Sequence, residues 1–203
     1  MKNIFKLMGL ALIAGSMMFV ACNKDENENN GNNTPAPEPV KNEVKVTFGS
    51  NSWTAQYTNC IVSAENQAIV LAACEGTAST SYPQINFYME WDGAPATGTF
   101  TGEPSVDLSA GEASAGNPYL WYFTDDQHVI NFGGKPAGNW WANPVEMNIT
   151  ALDLDALTIS ANATATMADL LSCIQNGTAW ESAETRDLTL TITNLEMTDF
   201  DAE

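Results

Sequence analysis

Strict two-residue alternation of apolar and polar side chains is the feature that most constrains this chain. Leucine and isoleucine alternate with threonine over 188–193, and similar patterns occur at 44–48, 85–91 and 145–149. Successive side chains of a β-strand point to opposite faces, so this period gives each strand one core face and one polar face. The phase slips before Leu195 and Met197. A β-bulge near Thr193–Asn194 would return both residues to the core face.

The whole pattern predicts about ten short strands with hairpin spacing. An antiparallel β-sandwich is the expected all-β fold, with a barrel-like arrangement as the alternative. One short helix is predicted near 167–175, opened by Thr166 as N-cap and closed by Asn176 and Gly177. Apolar residues form 44% of the chain, which is enough for a core. We therefore predict a single β domain over residues 43–203.

Residues 1–21 have the composition of a secretory signal peptide. Lys2 and Lys6 precede an uncharged, mainly apolar run at 7–20, which is too short to span a bilayer. The run ends in Phe-Val-Ala-Cys, and this resembles the lipobox of bacterial lipoproteins, in which the Cys, here Cys22, is acylated. The alternative is an ordinary cleaved signal followed by a chance Cys.

Residues 22–42 lack the apolar side chains that a core needs, and they end in a proline-rich stretch. We expect a disordered, acidic tether that holds the β domain away from the membrane. Its first residues, Asn-Lys-Asp-Glu at 23–26, resemble the surface-export signal of Bacteroidetes lipoproteins. The resemblance implies an outer-membrane protein that faces the cell exterior.

Three short motifs in the β region also resemble a known group. They are Phe-Gly-Ser-Asn-Ser-Trp-Thr-Ala at 48–55, Gly-Thr-Phe at 98–100, and the pair of segments 148–153 and 188–194. Together they resemble small, uncharacterised all-β domains of Bacteroidetes lipoproteins. The resemblance implies a β-sandwich at the cell surface and transfers no catalytic residues.

The charge of the chain excludes some partners. Formal net charge is −18, from 25 acidic residues against 7 Lys and Arg. Binding to nucleic acid needs a basic surface, so no nucleic-acid partner is expected, and an anionic membrane would repel the domain. The chain has one His and no Gly-x-Ser-x-Gly motif, so we do not expect an enzyme. A glycoside hydrolase with a carboxylate pair is the least favoured function.

Adjacent tryptophans provide the strongest candidate for ligand binding. Trp140 and Trp141 lie in a segment, 133–144, that is rich in Gly, Pro and Asn and therefore predicted to be a surface loop. The two indoles could stack on sugar rings, with Asn139 and Asn143 as hydrogen-bonding partners. The alternative is an aromatic plug that seals one end of the fold. Other tryptophans, including Trp91 and Trp121, are expected in the core.

The cysteines permit three arrangements. Cys60 and Cys74 flank a predicted hairpin and could form a disulfide, which an exported protein can keep. Cys173 could instead pair with one of them, or all three could be reduced and buried as small apolar residues.

Acidic residues near turns suggest calcium as a partner. Asp153 and Asp155 are the preferred pair of hard oxygen ligands, although the spacing is not that of an EF-hand. No other cofactor is expected.

The combined interpretation is a surface-anchored lipoprotein that acts as a binding or interaction module, with glycan as a candidate ligand. Its partners would be the membrane, through the lipid anchor, and a glycan or another surface protein. The alternative is a structural or adhesive surface protein without a small-molecule ligand.

Overall fold

The structure is a computed structural model that describes residues 42–103, 105–107, 112–114, 116–125, 130–132, 135–177 and 179–202. Cys22, the predicted signal segment and nearly all of the predicted tether lie outside these residues, so the interpretations of them stay predictions. The described residues belong to one compact unit, Lys41–Glu203. In this part of the chain, no helix is long and apolar enough to cross a membrane.

Most of the described chain is β-structure. The strands are β1 (Glu43–Phe48), β2 (Asn51–Thr54), β3 (Tyr57–Ser63), β4 (Ala68–Cys74), β5 (Gln84–Glu90), β6 (Gly98–Gly102), β7 (Ser105–Asp107), β8 (Glu112–Ser114), β9 (Tyr119–Phe123), β10 (Ile130–Phe132), β11 (Lys135–Ala137), β12 (Trp140–Asp153), β13 (Thr158–Asp169), β14 (Thr185–Glu196) and β15 (Thr198–Asp199). Eleven of them form one sheet in the order β15-β3-β4-β5-β9-β12-β13-β14-β1-β2, with β6 paired to β12. All neighbours in this sheet are antiparallel except β15 and β3. The hairpins β7–β8 and β10–β11 are separate two-stranded sheets.

The sheet curls because a short link joins strands from its two ends. Strand β2 is last in the strand order and β3 is second, yet only Ala55 and Gln56 separate them in the chain. So short a link spans about 10 Å at most. The Ala55 N–H donates to Val44 O on β1 (2.8 Å), and the Gln56 N–H donates to Cys74 O on β4 (3.0 Å). The predicted all-β class is therefore confirmed. The curled sheet has the barrel-like arrangement that was given as the alternative to a β-sandwich.

The core lies on the inner face of the curled sheet, where the alternating apolar residues meet. On β14, Leu188, Leu190 and Ile192 are buried while the threonines between them are exposed or half-buried. The predicted bulge is confirmed, because β14 gains one residue relative to β13 next to Asn194. Asn194 has a φ of 45° and donates its N–H to the Ser160 hydroxyl at 2.9 Å. Leu195 consequently returns to the core.

One short helix, α1 (Leu170–Asn176), confirms the predicted helix, but its first residue differs. Asp169 is the N-cap, and its carboxylate accepts from the Ser172 N–H at 3.0 Å and the Ser172 hydroxyl at 2.6 Å. The Thr166 cap was wrong, because β13 keeps its pairing with β14 through Ala168. The predicted C-terminal end is correct, with Gly177 in the left-handed conformation at φ 62°.

Candidate functional site

Trp140 and Trp141 lie in strand β12 and not in a loop. Trp140 is 4% exposed and Trp141 is 3% exposed. The loop prediction was wrong because pairing with β13, where Trp141 lies opposite Ala168, extends β-structure through a segment whose composition suggested a turn. As neighbours on one strand, the two indoles occupy opposite faces of the sheet. Neither presents the exposed ring that sugar stacking requires.

Trp140 closes one end of the core. Its ring meets Phe48 edge-on at 5.1 Å between centroids, and Phe48 stacks on Tyr122 at 4.3 Å. The guanidinium of Arg186 covers Trp140 at 4.8 Å from the ring centroid, which is cation–π distance. This is the geometry of an aromatic plug.

The two asparagines beside this tryptophan pair do not supply an exposed binding surface. Asn139 is 6% exposed, and its side chain bonds to Thr124: Oδ1 accepts the backbone N–H and Nδ2 donates to Oγ1, both at 3.2 Å. Its carbonyl accepts the N–H of Leu170 at 3.0 Å. Asn143 is half-buried beside the register shift of β12. Asn139 therefore fastens α1 to the sheet.

Trp141 lies in a second, smaller core on the outer face of the sheet. This core also contains Ala168, Leu170, Cys173 and Trp180. The indole N–H of Trp141 donates to Gly138 O at 2.9 Å. Helix α1 therefore covers this part of the outer face.

The next position along the outer face is the half-buried Trp121. It lies directly opposite Trp141 across β9 and β12, and their rings stack at 5.4 Å with an interplanar angle of 24°. Tyr119, two residues earlier on β9, contacts Trp121 at 4.9 Å and stacks on Tyr88 of β5 at 5.0 Å. Four aromatic rings thus form a continuous outer cluster.

A row of residues that lie opposite one another on neighbouring strands begins at Trp121 and continues over three more strands. Asn86 of β5 lies opposite Trp121, Ala72 of β4 opposite Asn86, and Asn59 of β3 opposite Ala72. We define the outer recess as Asn59, Val70, Ala72, Asn86 and Trp121, all of which are half-buried. Its side chains are uncharged: two amides, one indole and two small aliphatic groups.

Buried residues surround the outer recess, which distinguishes it from an ordinary solvated sheet face. On the same outer face, Ile61, Cys74, Tyr88, Phe123 and Trp141 are all buried. The segment 75–83 contributes to this cover, since its carbonyl at Ser79 lies 3.7 Å from Cys74 Sγ and its Tyr82 ring contacts Phe123. The partly exposed row therefore lies within a largely covered face, on which Tyr57, Gln84 and Glu90 are also half-buried.

The C-terminal residues cover another side of this face. Asp201 accepts from the Ser63 hydroxyl at 2.7 Å and from the Glu65 N–H at 3.0 Å. Burial raises the pKa of Asp201, but the hydrogen bonds from Glu65 and Ser63 outweigh it and hold that pKa below its usual value. The charged side chain of Asp201 therefore links β3 to the residues after β15 through hydrogen bonds.

Two phenols at the edge of the outer recess stay protonated. Burial, assisted by the nearby Glu90 carboxylate, raises the pKa of both Tyr88 and Tyr119 above its usual value. The Tyr88 hydroxyl donates to Glu90 Oε1. This edge therefore presents neutral hydroxyl groups and a carboxylate that is already hydrogen-bonded.

The predicted disulfide between Cys60 and Cys74 does not form, and Cys60, Cys74 and Cys173 are all free and buried. Cys60 lies opposite Leu71, and Cys74 lies opposite Tyr57, so they sit three residue pairs apart on opposite faces of the hairpin. That offset exceeds the Cα separation of about 7 Å that a disulfide tolerates. The structure matches the alternative of three reduced, buried cysteines.

Asp153 is the last residue of β12, and Asp155 lies in the exposed turn that follows it. The Asp153 carboxylate accepts the N–H groups of Asp155 at 3.0 Å and Ala156 at 2.8 Å, so it stabilises the turn. Among the described residues, no group of three or more His, Cys, Asp or Glu side chains is placed to hold a metal ion. The calcium hypothesis stays a prediction.

Sequence reasoning missed the outer recess for a definable reason. It assigned Trp121 to the core, but the side chain points outward. Residues 119–123 read Tyr-Leu-Trp-Tyr-Phe, so the strand has no polar face from which orientation could be read. The usable signal was on β5, where Asn86 and Tyr88 alternate with buried Ile85 and Phe87.

A scan against protein-family models, a search of curated proteins and a search of solved structures found no match to this chain. The geometry of the outer recess is therefore the starting point for function.

Proposed function

We propose that this protein is a lipid-anchored surface lipoprotein of the outer membrane, and that its β domain is a binding module whose ligand site is the outer recess. The lipobox-like sequence ending at Cys22 supports the anchor, and the residues at 23–26 support display on the exterior. Acylation supplies hydrophobic anchoring that the acidic domain cannot supply itself.

The observation that carries the proposal is the row Asn59–Ala72–Asn86–Trp121. It places amide groups and an indole on a partly exposed strip, while much of that outer face is covered. Binding sites combine apolar surface with a few polar groups that fix orientation. The strip carries no charged side chain in a chain of net charge −18, so it suits a ligand that is itself uncharged.

Binding fits this face better than hydrolysis. On the outer face of β3, β4, β5 and β9, Glu90 is the single carboxylate, and the Tyr88 hydroxyl is bonded to it. Glycosidases need two carboxyl groups about 5 to 9.5 Å apart. The amides and aromatic rings of this face suit recognition.

The proposal is tested with the full chain in detergent, screened by thermal shift against neutral oligosaccharides, acidic oligosaccharides, peptides and phospholipids. If the screen detects a ligand, Asn86→Ala should lower its affinity by about tenfold. A lost hydrogen bond and the desolvation cost of its partner together are of that size.

The matched control is Asn162→Ala, which removes an exposed asparagine from an outward-facing position on β13. It should leave affinity unchanged. A ligand whose affinity falls equally in both variants, or in neither, would place the binding site elsewhere and overturn the proposal.

A further inference from the structure

We infer that the ligand of the outer recess is a neutral oligosaccharide, with one sugar ring packed against Trp121 beside the Asn86 amide and the next ring over Ala72, between the amides of Asn86 and Asn59. This inference rests on the proposed binding function and names the chemical class of its ligand. Four features of the recess support it: the indole, the amides, the floor between them and the absence of charge on the recess side chains.

Trp121 presents carbon and not nitrogen to solvent. Its Nε1 is buried and has no hydrogen-bond partner within the described part of the chain, although the residue as a whole is half-buried. The exposed portion of the indole is therefore apolar. Sugar rings offer C–H groups to such surfaces, and stacking on Trp141 at 5.4 Å fixes the indole before any ligand arrives.

Asn86 is oriented so that its amide nitrogen is available. Gln84 Nε2 donates to Asn86 Oδ1 at 3.2 Å, which engages the oxygen. Within the described residues, the Asn86 Nδ2 and the side chain of Asn59 have no hydrogen-bond partner. Vicinal hydroxyls of a sugar, which both donate and accept, satisfy such amide groups.

The sheet surface between the two asparagines, which forms the floor of the outer recess, carries only a small side chain and leaves room for a sugar ring. Adjacent strands lie about 4.8 Å apart, so Asn59 on β3 and Asn86 on β5 are separated by roughly 10 Å. Only the methyl group of Ala72 rises between them in that row. A sugar ring over Ala72 would lie between the two amides, and the adjacent ring of an oligosaccharide would meet Trp121, one strand beyond Asn86.

The absence of charged side chains in the outer recess favours neutral sugars over charged ones as the ligand. The side chains of the outer recess carry no charge, and the chain has 25 acidic residues. Among the cationic residues on described strands, Lys45 and Arg186 belong to β1 and β14, away from this row, and Lys135 belongs to β11 of a separate two-stranded sheet. A uronic acid would meet repulsion without a cation in the recess to offset it.

The test is isothermal titration of the full chain in detergent with four probes: cellohexaose, xylohexaose, β-1,4-mannohexaose and the β-1,4-mannuronate hexamer. The last two share their linkage and differ by a carboxylate at C6. At least one neutral hexasaccharide should bind, and the mannuronate hexamer should not.

Three variants in the outer recess, with Asn162→Ala as the control, separate an effect on the recess from an effect on general stability. Trp121→Ala should lower affinity by about tenfold or more, whereas Trp121→Phe, which keeps an apolar ring, should stay within about threefold of wild type. Ala72→Gln should block the floor while leaving both amides and the indole in place. Asn162→Ala should bind normally. Melting temperatures confirm folding, and Ala72→Gln carries the test if Trp121→Ala fails to fold.

The outcomes are distinct for the two proposals. Failure of all three neutral hexasaccharides to bind, or binding that survives Ala72→Gln, overturns the saccharide inference. If a peptide or lipid binds instead and is lost in Asn86→Ala, the saccharide inference fails and the binding function stands. If Asn86→Ala and Ala72→Gln leave every detected ligand unaffected, both proposals fail.

Discussion

Two walls of the same curled sheet share one core and differ on their outer faces. The threonine wall is formed by β13, β14 and β1, and its outward residues, such as Thr189 and Thr191, are exposed. The recess wall is formed by β3, β4, β5 and β9, and many of its outward residues, such as Ile61 and Tyr119, are buried. The inner faces of both walls contribute to one hydrophobic cluster.

The difference between the two outer faces follows from the side chains that each wall points outward. Threonine favours the β conformation and keeps an outer face hydrated, so the threonine wall needs only its inner face to be packed. The recess wall is packed on both faces and leaves a small uncharged opening at Trp121 and Asn86. The exposed strip adds no packing of its own, and partly apolar surface left open in this way is common at binding surfaces.

The largest expected effect is a difference in reactivity between the buried thiols of the recess wall and a thiol introduced on the exposed face of the threonine wall. Cys60 lies on the inner face of the recess wall and Cys74 on its outer face, and burial raises their pKa values to about 12 and about 11. The thiolate is the reactive form, so Cys60 should react with Ellman's reagent at pH 8 on the order of a thousandfold more slowly than an exposed thiol.

The control for this experiment is Thr189→Cys, whose new thiol should react at once. Unfolding in guanidinium should expose Cys60, Cys74 and Cys173 together. Rapid reaction of Cys74 in the folded protein would show that the outer face of the recess wall is open, and the comparison would fail.

Truncation of an outward side chain should also affect the covered and solvated parts of the sheet differently. Trp141→Ala removes a buried indole from the outer core and should lower the free energy of unfolding by about 3–5 kcal/mol. Thr189→Ala should change it by less than about 0.5 kcal/mol. Urea denaturation followed by circular dichroism measures both. Equal effects would mean that the outer core contributes no more than an exposed surface.

Asp201 provides a smaller, pH-dependent contrast. Its folded pKa is lowered, so its stabilisation is present above the unfolded pKa of about 3.9 and is lost as pH falls through the folded value. Asp201→Asn should cost about 1 kcal/mol at pH 7, because charged hydrogen bonds to Ser63 and Glu65 become neutral ones.

The matched control is Asp155→Asn, since Asp155 is exposed in the turn after β12. It should be neutral at pH 7. Chemical denaturation from pH 7 to pH 3 should show the difference in unfolding free energy between Asp201→Asn and wild type narrowing below about pH 4. A constant difference across that range would assign the effect to packing and not to charge.

Sequence alone predicted the features that depend on local pattern. Alternation located the long strands, the phase slip before Leu195 located the bulge, and Asn176 with Gly177 located the end of α1. Each is encoded within a few residues. The all-β class followed from the same information.

The features that sequence did not predict depend on contacts between distant segments. The Trp140–Trp141 segment has the composition of a loop, and its pairing with β13 and β9 makes it a strand. The Cys60–Cys74 bridge required a hairpin loop centred at Gln67, but Ser63 pairs with Ala68, which centres the turn earlier. The outer recess depends on a register across four strands, which no local pattern specifies.

The two-residue link at Ala55 and Gln56 has a consequence for the order of folding. Strands β1 and β2 pair at the opposite end of the sheet from β3, with Glu43 opposite Thr193, so the link reaches its final position only when the curl closes. Pairings of such long range require closure of a very large loop before any contact offsets its entropy. During synthesis the first strand must wait for nearly the last, and closure of the curled sheet is the late, slow step.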